Sequence, residues 1–179
     1  MIQIFTTQIQ GLMKQIQTKQ EEAIEDGARL LAQARVGDGF IYIHGDLEMK
    51  AVEMEALYGA DQLPHIKPLQ VNGQLADVGM NDRILYISRN SEEPKAIETL
   101  KPLSEKGIPI VAMGTVFDED EQDSVHHLAD VFINLQVKRS LVPLDDGTRI
   151  GYPASLVALY TFFYLSLTLK EILAEYADE

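Results

Sequence analysis

The sequence predicts a single α/β domain of three layers, in which a parallel sheet of about five strands lies between helices and a long helix stands at each end of the chain. Short apolar runs alternate along the chain with stretches that have helical spacing. These runs are continuously apolar, as is typical of parallel strands that helices cover on both faces. The 179 residues are 46% hydrophobic and show no repeat or linker, so residues 1–179 are expected to form one domain.

The first element is a long helical segment, because apolar residues recur every three or four positions over residues 2–34. One unbroken helix would be about 50 Å long at 1.5 Å per residue, which is longer than a domain of this size is wide. We therefore expect this helix to break near Gly11 or Gly27, or to reach over a second subunit.

Four apolar runs and one weaker run are predicted to be strands. The four runs are residues 40–44, 84–88, 108–113 and 131–135, and the weaker run is residues 67–71. Helices are predicted over residues 47–57, 93–106 and 123–129, and a closing helix over residues 153–176. This alternation implies βαβ units with right-handed crossovers.

The closing helix has an unusual composition, because residues 150–169 carry no charge. Their length approaches that of a membrane span. However, the segment contains Gly151, Pro153 and several serines, threonines and tyrosines, so no membrane partner is expected. Burial in a protein core or in a subunit interface is predicted instead. Together with the long first helix, this predicts a homodimer or a higher homo-oligomer.

The charge and the residue types of the chain exclude several classes of partner. A net charge of −13 repels nucleic acid and anionic lipid, so neither is an expected partner. There is no cysteine for a disulfide or a thiolate metal site, and no spaced histidine pair, so we expect no metal and no cofactor. Residues 1–20 lack the continuous apolar stretch of a signal peptide, and a cytoplasmic location is expected.

A ligand site is expected where the strands end. In open parallel sheets the ligand lies beyond the carboxyl ends of the strands, at the point where the strand order reverses. The segments at those ends here are residues 44–48, residues 88–93, and Gly114 with Thr115.

The stretch of residues 82–113 resembles the centre of a sugar isomerase (SIS) domain. In that family a strand ends in Ser-x-Ser-Gly-x-Thr and is followed by a helix, a glycine and a second strand. The family's first strand ends in a Gly-x-Gly-x-Ser turn, where residues 40–48 stand here, and residues 127–133 resemble its Leu-Ala-Asp approach to the last strand. In size the chain is similar to the single-domain phosphoheptose isomerase-like branch. The resemblance implies a flavodoxin-like strand order.

The resemblance also implies a ligand, since serine hydroxyls and turn amides hold a sugar phosphate in that family. The family's Ser-x-Ser-Gly-x-Thr segment corresponds here to residues 88–93, which we call the second turn. Ser88 matches the first serine of that segment, while Asn90, Ser91 and Glu93 replace its second serine, its glycine and its threonine. The ligand-binding residues expected on this basis are Gly45, Asp46, Glu48, Ser88, Asn90, Ser91, Glu93 and Thr115.

The first turn departs further from the family pattern. Gly45 is kept, but Leu47 replaces the second glycine and Met49 the serine. Four carboxylates, those of Asp46, Glu48, Glu92 and Glu93, stand near the expected phosphate. Two like charges about 4 Å apart repel by about 1 kcal/mol in water and about 4 kcal/mol at an effective dielectric of 20. We therefore predict weak phosphosugar binding, although acidic residues at the start of a helix are also typical caps.

The catalytic candidates are His44, at the end of the first strand, and Glu55, on the helix that follows. Phosphoheptose isomerases use a glutamate late in that helix and a histidine early in the last helix. Here Glu53 and Glu55 come earlier than that pattern, and the last helix has no histidine.

Two hypotheses follow from this pattern. One is an SIS-type phosphosugar-binding protein, and this hypothesis includes a divergent sugar-phosphate isomerase. The other is a non-catalytic structural or regulatory homodimer that keeps the fold without binding a sugar phosphate.

Overall fold

The computed structural model describes residues 1–177. The helices are α1 (Ile2–Lys19), α2 (Glu21–Val36), α3 (Lys50–Tyr58), α4 (Pro94–Glu105), α5 (Val125–Leu128) and α6 (Ala154–Ala177). The strands are β1 (Ile41–Gly45), β2 (Ile66–Pro68), β3 (Gln70–Val71), β4 (Gln74–Leu75), β5 (Arg83–Asn90), β6 (Ile110–Thr115), β7 (Val131–Asn134), β8 (Val142–Pro143) and β9 (Arg149–Ile150).

The central sheet confirms the predicted fold class. It has five strands in the order β2-β1-β5-β6-β7, and every neighbouring pair is parallel. Counted along the chain within this sheet, the order is 2-1-3-4-5, as in flavodoxin-like folds. The chain leaves β1 for β2 on one side and returns to β5 on the other, so the strand order reverses between β1 and β5.

Helices cover both faces of the sheet, as the continuous apolar runs predicted. Along β1, Ile43 joins a core with α1, α2, α3 and α6, whereas Tyr42 joins a second core with α4 and α5. Neighbouring residues of a strand point to opposite faces, which is why each central strand contributes to both cores.

The long N-terminal segment breaks, but neither at Gly11 nor at Gly27. The break is at Gln20, between α1 and α2, where φ is −115° and ψ is 6°. The Gln20 side-chain oxygen accepts a hydrogen bond of 2.9 Å from the backbone N–H of Asn134, at the end of β7. Gly27 lies inside α2, where an added Cβ would lie 3.2 Å from Val111. The helical segment therefore breaks at the residue, Gln20, whose side chain is hydrogen-bonded to the edge strand β7.

The weaker strand predicted over residues 67–71 forms in two pieces. β2 pairs with β1, while β3 turns away and pairs with β4 in a small antiparallel ribbon. β8 and β9 form a second small ribbon before α6, which the sequence patterns did not indicate. These two ribbons lie outside the central sheet.

α6 is partly buried, and one of its faces is not covered by this chain. It packs against α1, α2 and α3. By length and composition the helix could cross a membrane, with a mean hydropathy of 1.5 over its most apolar window. Its residues Val157, Phe162 and Leu165 are nevertheless in the core. The opposite face leaves three large apolar side chains exposed, those of Leu156, Phe163 and Leu167.

Candidate ligand site at the carboxyl edge of the sheet

The carboxyl ends of β1 and β5 bring two turns together at the point where the strand order reverses. The turn after β1 contains Asp46 and a short 3-10 segment, Leu47–Met49. The turn after β5 leads through Ser91 to α4. The residues predicted to bind a ligand from β1 and β5 therefore lie at one edge, which Thr115 joins at the end of β6.

Behind this edge lies a cluster of polar side chains that are almost fully buried. His44 Nε2 lies 3.2 Å from Asp46 Oδ1, and the Tyr86 hydroxyl donates a hydrogen bond of 2.7 Å to Asp46 Oδ2. The exposed fractions of His44, Asp46 and Tyr86 are 5%, 6% and 0%. His44, a catalytic candidate, is thus held inside the protein against a carboxylate.

Glu53 completes this cluster from α3. Its carboxylate accepts hydrogen bonds from the backbone N–H of Gly45 at 2.9 Å and from Lys50 Nζ at 2.7 Å, and it lies 3.5 Å from His44 Nδ1. Glu55, the other catalytic candidate, is not part of the cluster, because its carboxylate lies over Gly59 at the end of α3. The sequence placed both glutamates on this helix. Only the rotation of α3 about its axis, which the structure shows, decides which of them faces His44.

The protonation of the cluster follows from its contacts. Burial works to raise the pKa of Asp46, but hydrogen bonds from His44 and Tyr86 outweigh it and hold the pKa below its usual value. Burial first, and then the bond to Asp46, raises the pKa of the Tyr86 hydroxyl. At neutral pH Asp46 is an ionised acceptor and Tyr86 a neutral donor. This hydrogen bond holds the Asp46 side chain against β5.

The mouth of the site is crossed by an ion pair. Arg89 Nε and Nη2 donate hydrogen bonds of 2.7 and 2.8 Å to the two carboxylate oxygens of Glu48. The side chains are 40% and 34% exposed. The hydrogen bond from Arg89 is the main reason that the pKa of Glu48 lies below its usual value. Glu48 was among the ligand-binding residues predicted from the sequence and Arg89 was not, although a basic residue at the end of β5 was the available signal.

The first turn has a glycine-like backbone conformation at a residue that is not glycine. Leu47 has a φ of +48°, in the left-handed region that favours glycine, and its side chain is 66% exposed. At Gly45 an added Cβ would run into the backbone carbonyl of Met49. Gly45 is therefore required by close packing, whereas Leu47 holds a conformation that is strained for its residue type.

The polar groups expected to grip a phosphate are bonded within the protein. The Ser88 hydroxyl donates to the Asn90 carbonyl at 2.8 Å, and the Asn90 side chain donates to Glu93 at 3.1 Å. The Thr115 hydroxyl oxygen accepts from the backbone N–H of Val137 at 3.1 Å. Ser88 and Thr115 are fully buried, so neither hydroxyl points freely toward the mouth.

Ser91 and the glutamates that follow it have separate roles. The Ser91 hydroxyl donates to Glu92 at 2.7 Å, and the same Glu92 oxygen accepts from the backbone N–H groups of Phe117 and Asp118 at 3.3 and 3.4 Å. Glu92 thus ties the second turn to the loop after β6. Glu93 stands at the N-cap of α4 without a capping hydrogen bond from its side chain. Neither glutamate side chain therefore caps α4 through a hydrogen bond, although both were expected to be helix caps.

Basic residues are frequent around this edge, although the chain is acidic overall. They lie at or after the carboxyl ends of β1, β5 and β7 and are Lys50, Arg89, Lys95, Lys138 and Arg139. They are five of the 15 basic residues in a chain with a net charge of −13. The same edge carries the carboxylates of Asp46, Glu48, Glu53, Glu92 and Glu93. Lys50 pairs with Glu53 and Arg89 with Glu48, so the positive charge there is local and partly compensated.

Comparison with known proteins identifies relatives of the whole chain. A family model described as "Domain of unknown function (DUF2529)" matches residues 1–173. The uncharacterized protein YwjG from Bacillus subtilis (strain 168) is 40% identical over 177 residues, which cover 99% of this chain and 100% of that protein.

Solved structures with the same fold are sugar isomerase domains. The sugar isomerase domain of the RpiR transcription factor from Sphaerobacter thermophilus has a TM-score of 0.58 and 16% identity, covering 99% of this chain and 98% of that one. MJ1247 from Methanococcus jannaschii, whose structure infers a function of 3-hexulose-6-phosphate isomerase, has a TM-score of 0.57 and 15% identity, covering 98% and 90%. At such identities the likeness shows the fold alone, which is that of SIS domains.

Proposed function

We propose that this chain, which belongs to the DUF2529 family, is an SIS-type protein that binds a phosphosugar at the carboxyl edge of the sheet between β1 and β5. The observation that carries this proposal is the reversal of strand order between β1 and β5, with the positive charges of Arg89 and Lys95 beside it. A phosphate is the part of a sugar phosphate that such charges attract. Two proteins with this fold, one described as a sugar isomerase domain and one inferred to be a 3-hexulose-6-phosphate isomerase, support the same ligand class.

The sugar ring would face the polar groups at the mouth. The Asn90 amide is partly exposed, and an amide hydrogen-bonds readily to sugar hydroxyls. Gly45, Asp46, Ser88, Ser91 and Thr115 would shape the site from behind, because all five are buried.

Binding without isomerisation is the form of this function that we propose. An isomerase needs an acid–base group within reach of the sugar. His44 is 5% exposed and lies between the carboxylates of Asp46 and Glu53. If the protein instead converts aldose to ketose phosphates, and His44→Ala abolishes the conversion, the divergent phosphoheptose-like isomerase becomes the better hypothesis.

Removal of the Glu93 charge is expected to strengthen sugar-phosphate binding. Glu93→Gln keeps the side-chain volume and can still contact Asn90, but it removes one like charge beside the phosphate. That repulsion is about 1 kcal/mol at a partly exposed site, which corresponds to about fivefold in affinity. Calorimetric titration of both proteins with a series of sugar phosphates measures the difference.

Glu98→Gln is the matched control, because it removes the same charge from an exposed position further along α4. It is expected to change the affinity little. Ser91 is left in place, because it is fully buried and its backbone groups bond to Thr115 and Val125. Tight binding by the natural protein that weakens in Glu93→Gln would show that the glutamate recognises the ligand. Absence of binding to every sugar phosphate would favour the structural or regulatory homodimer.

We further propose that the protein is a cytoplasmic homodimer joined through the uncovered face of α6, defined by Leu156, Phe163 and Leu167. Two copies of so acidic a chain repel each other except where they meet through an uncharged surface, and this face is one. Burial of three large apolar side chains on each copy stabilises the contact by several kcal/mol.

Light scattering at micromolar concentration tests this assembly. We expect at least twice the mass of one chain, 20.0 kDa, and a shift toward the monomer in Phe163→Glu. Glu175→Lys, near the end of the same helix, serves as the control for a charge change outside the face. A natural protein that runs as a monomer under these conditions contradicts the dimer.

A further inference from the structure

We propose that Arg89 is the residue that binds the phosphate and that Glu48 is a resident competitor which occupies Arg89 until the phosphate displaces it. This inference rests on the proposed function of the same site, and it adds a residue and a mechanism of regulation that the family motif does not contain. The observation behind it is the pair of hydrogen bonds, 2.7 and 2.8 Å long, between one guanidinium edge and both oxygens of one carboxylate.

The geometry of this pair suits a phosphate as well as a carboxylate. An arginine offers two parallel N–H groups in a rigid fork, and the fork fits two oxygens of either anion. The Glu48 carboxylate therefore stands where two phosphate oxygens would bind. The pair is partly solvent-exposed at 40% and 34%, so an incoming phosphate has access to it.

The pair also lies where the fold places a ligand. Glu48 belongs to the turn after β1 and Arg89 to the carboxyl end of β5, so the pair bridges the two strands between which the strand order reverses. α6 packs against the turn that carries Glu48. A phosphate on Arg89 would thus lie beside β1, β5 and α6.

The turn that carries Glu48 is strained at one residue but anchored on both sides. Leu47, its neighbour, is held at a φ of +48°, which is unfavourable for a leucine, with its side chain 66% exposed. The turn is held in this conformation by its neighbours, because Asp46 is bonded to Tyr86 and Met49 is fully buried. Displacement of Glu48 by phosphate is therefore a movement of the Glu48 side chain toward solvent.

The test uses inorganic phosphate alone, so that it does not depend on which sugar is bound. Phosphate affinity is measured by titration at constant ionic strength for the natural protein, Glu48→Gln, Arg89→Gln and the double variant. A partly exposed ion pair contributes up to about 1 kcal/mol, so we expect Glu48→Gln to bind phosphate about fivefold more tightly. Arg89→Gln and the double variant are expected to lose this binding.

Glu105→Gln, at the opposite end of α4, removes the same charge from an exposed position and is the control for net charge. Equal affinity in Glu48→Gln and the natural protein, or a gain that survives in the double variant, overturns the inference. No phosphate binding in Glu48→Gln would overturn it as well. These results leave the proposed function standing if the natural protein binds a sugar phosphate, whereas failure of every sugar phosphate to bind counts against the function itself.

Discussion

Replacement of Gly45 by alanine is expected to lower the free energy of unfolding by about 3 kcal/mol. The Cβ of an alanine there would overlap the carbonyl group of Met49 and lie 2.9 Å from the backbone nitrogen of Lys50. Because these are backbone atoms of the turn and of the start of α3, no side-chain rotation can relieve the overlap. Overpacking of a fully packed site costs about 1–3 kcal/mol, and a clash with backbone belongs at the upper end.

Urea denaturation of the variant at neutral pH gives the change in unfolding free energy. Gly11→Ala is the control, because nothing lies within 4 Å of its added Cβ and Gly11 is inside α1. That control is expected to stabilise the protein by about 1 kcal/mol through helix propensity. If Gly45→Ala is as stable as the natural protein, the tight approach of the turn to β1 is wrong.

The central sheet could be predicted because its signals are local. The run from Ile84 to Ile87 is hydrophobic at every position and is bounded by Arg83 and Ser88, so it indicates a strand buried on both faces. Pro94 and Gly107 mark the ends of the helix that follows, and α4 indeed spans Pro94–Glu105. Strands of this kind are specified by their own residues, and their order followed from the family resemblance.

The break in the first helix could not be predicted in the same way. Glycine is the residue that local propensity selects as a breaker, and both glycines of this segment proved to be helical. The break depends instead on a hydrogen bond between Gln20 and Asn134, which are 114 positions apart in the chain. A contact of that separation leaves no pattern in the residues near Gln20.

The sequence predicted which segments meet at the edge of the sheet but not how their side chains are bonded. The candidate ligand-binding residues were chosen from the strand ends, and the strand ends do meet at one edge, whereas their binding of a ligand stays a prediction. The sequence could not show that Glu48 is already paired with Arg89, or that the Ser88 and Thr115 hydroxyls are bonded within the protein. This internal satisfaction gives a second physical reason to expect weak phosphosugar binding, because a ligand must break protein hydrogen bonds to form its own.

Glu53, and not Glu55, belongs to the buried cluster, so its removal is expected to have a large effect on stability. Glu53→Ala is expected to lower the free energy of unfolding by about 3 kcal/mol, because removal of one member of a buried charged cluster leaves its partners unpaired. The carboxylate is 2% exposed, and its loss strands the N–H of Gly45, whereas the partly exposed Lys50 ammonium can turn to water. Urea denaturation, monitored by circular dichroism, measures the change.

Two further variants separate the charge from the cavity and from the helix. Glu53→Gln keeps the volume and one acceptor for the Gly45 N–H, so its cost should be clearly smaller than that of the alanine variant. Glu55→Ala removes the same side chain two positions along α3, where the carboxylate lies over Gly59 outside the cluster, and should change stability by less than about 1 kcal/mol. If Glu55→Ala proves the more damaging of the two alanine variants, α3 has a different rotation about its axis, and Glu55, not Glu53, faces His44 and the first turn.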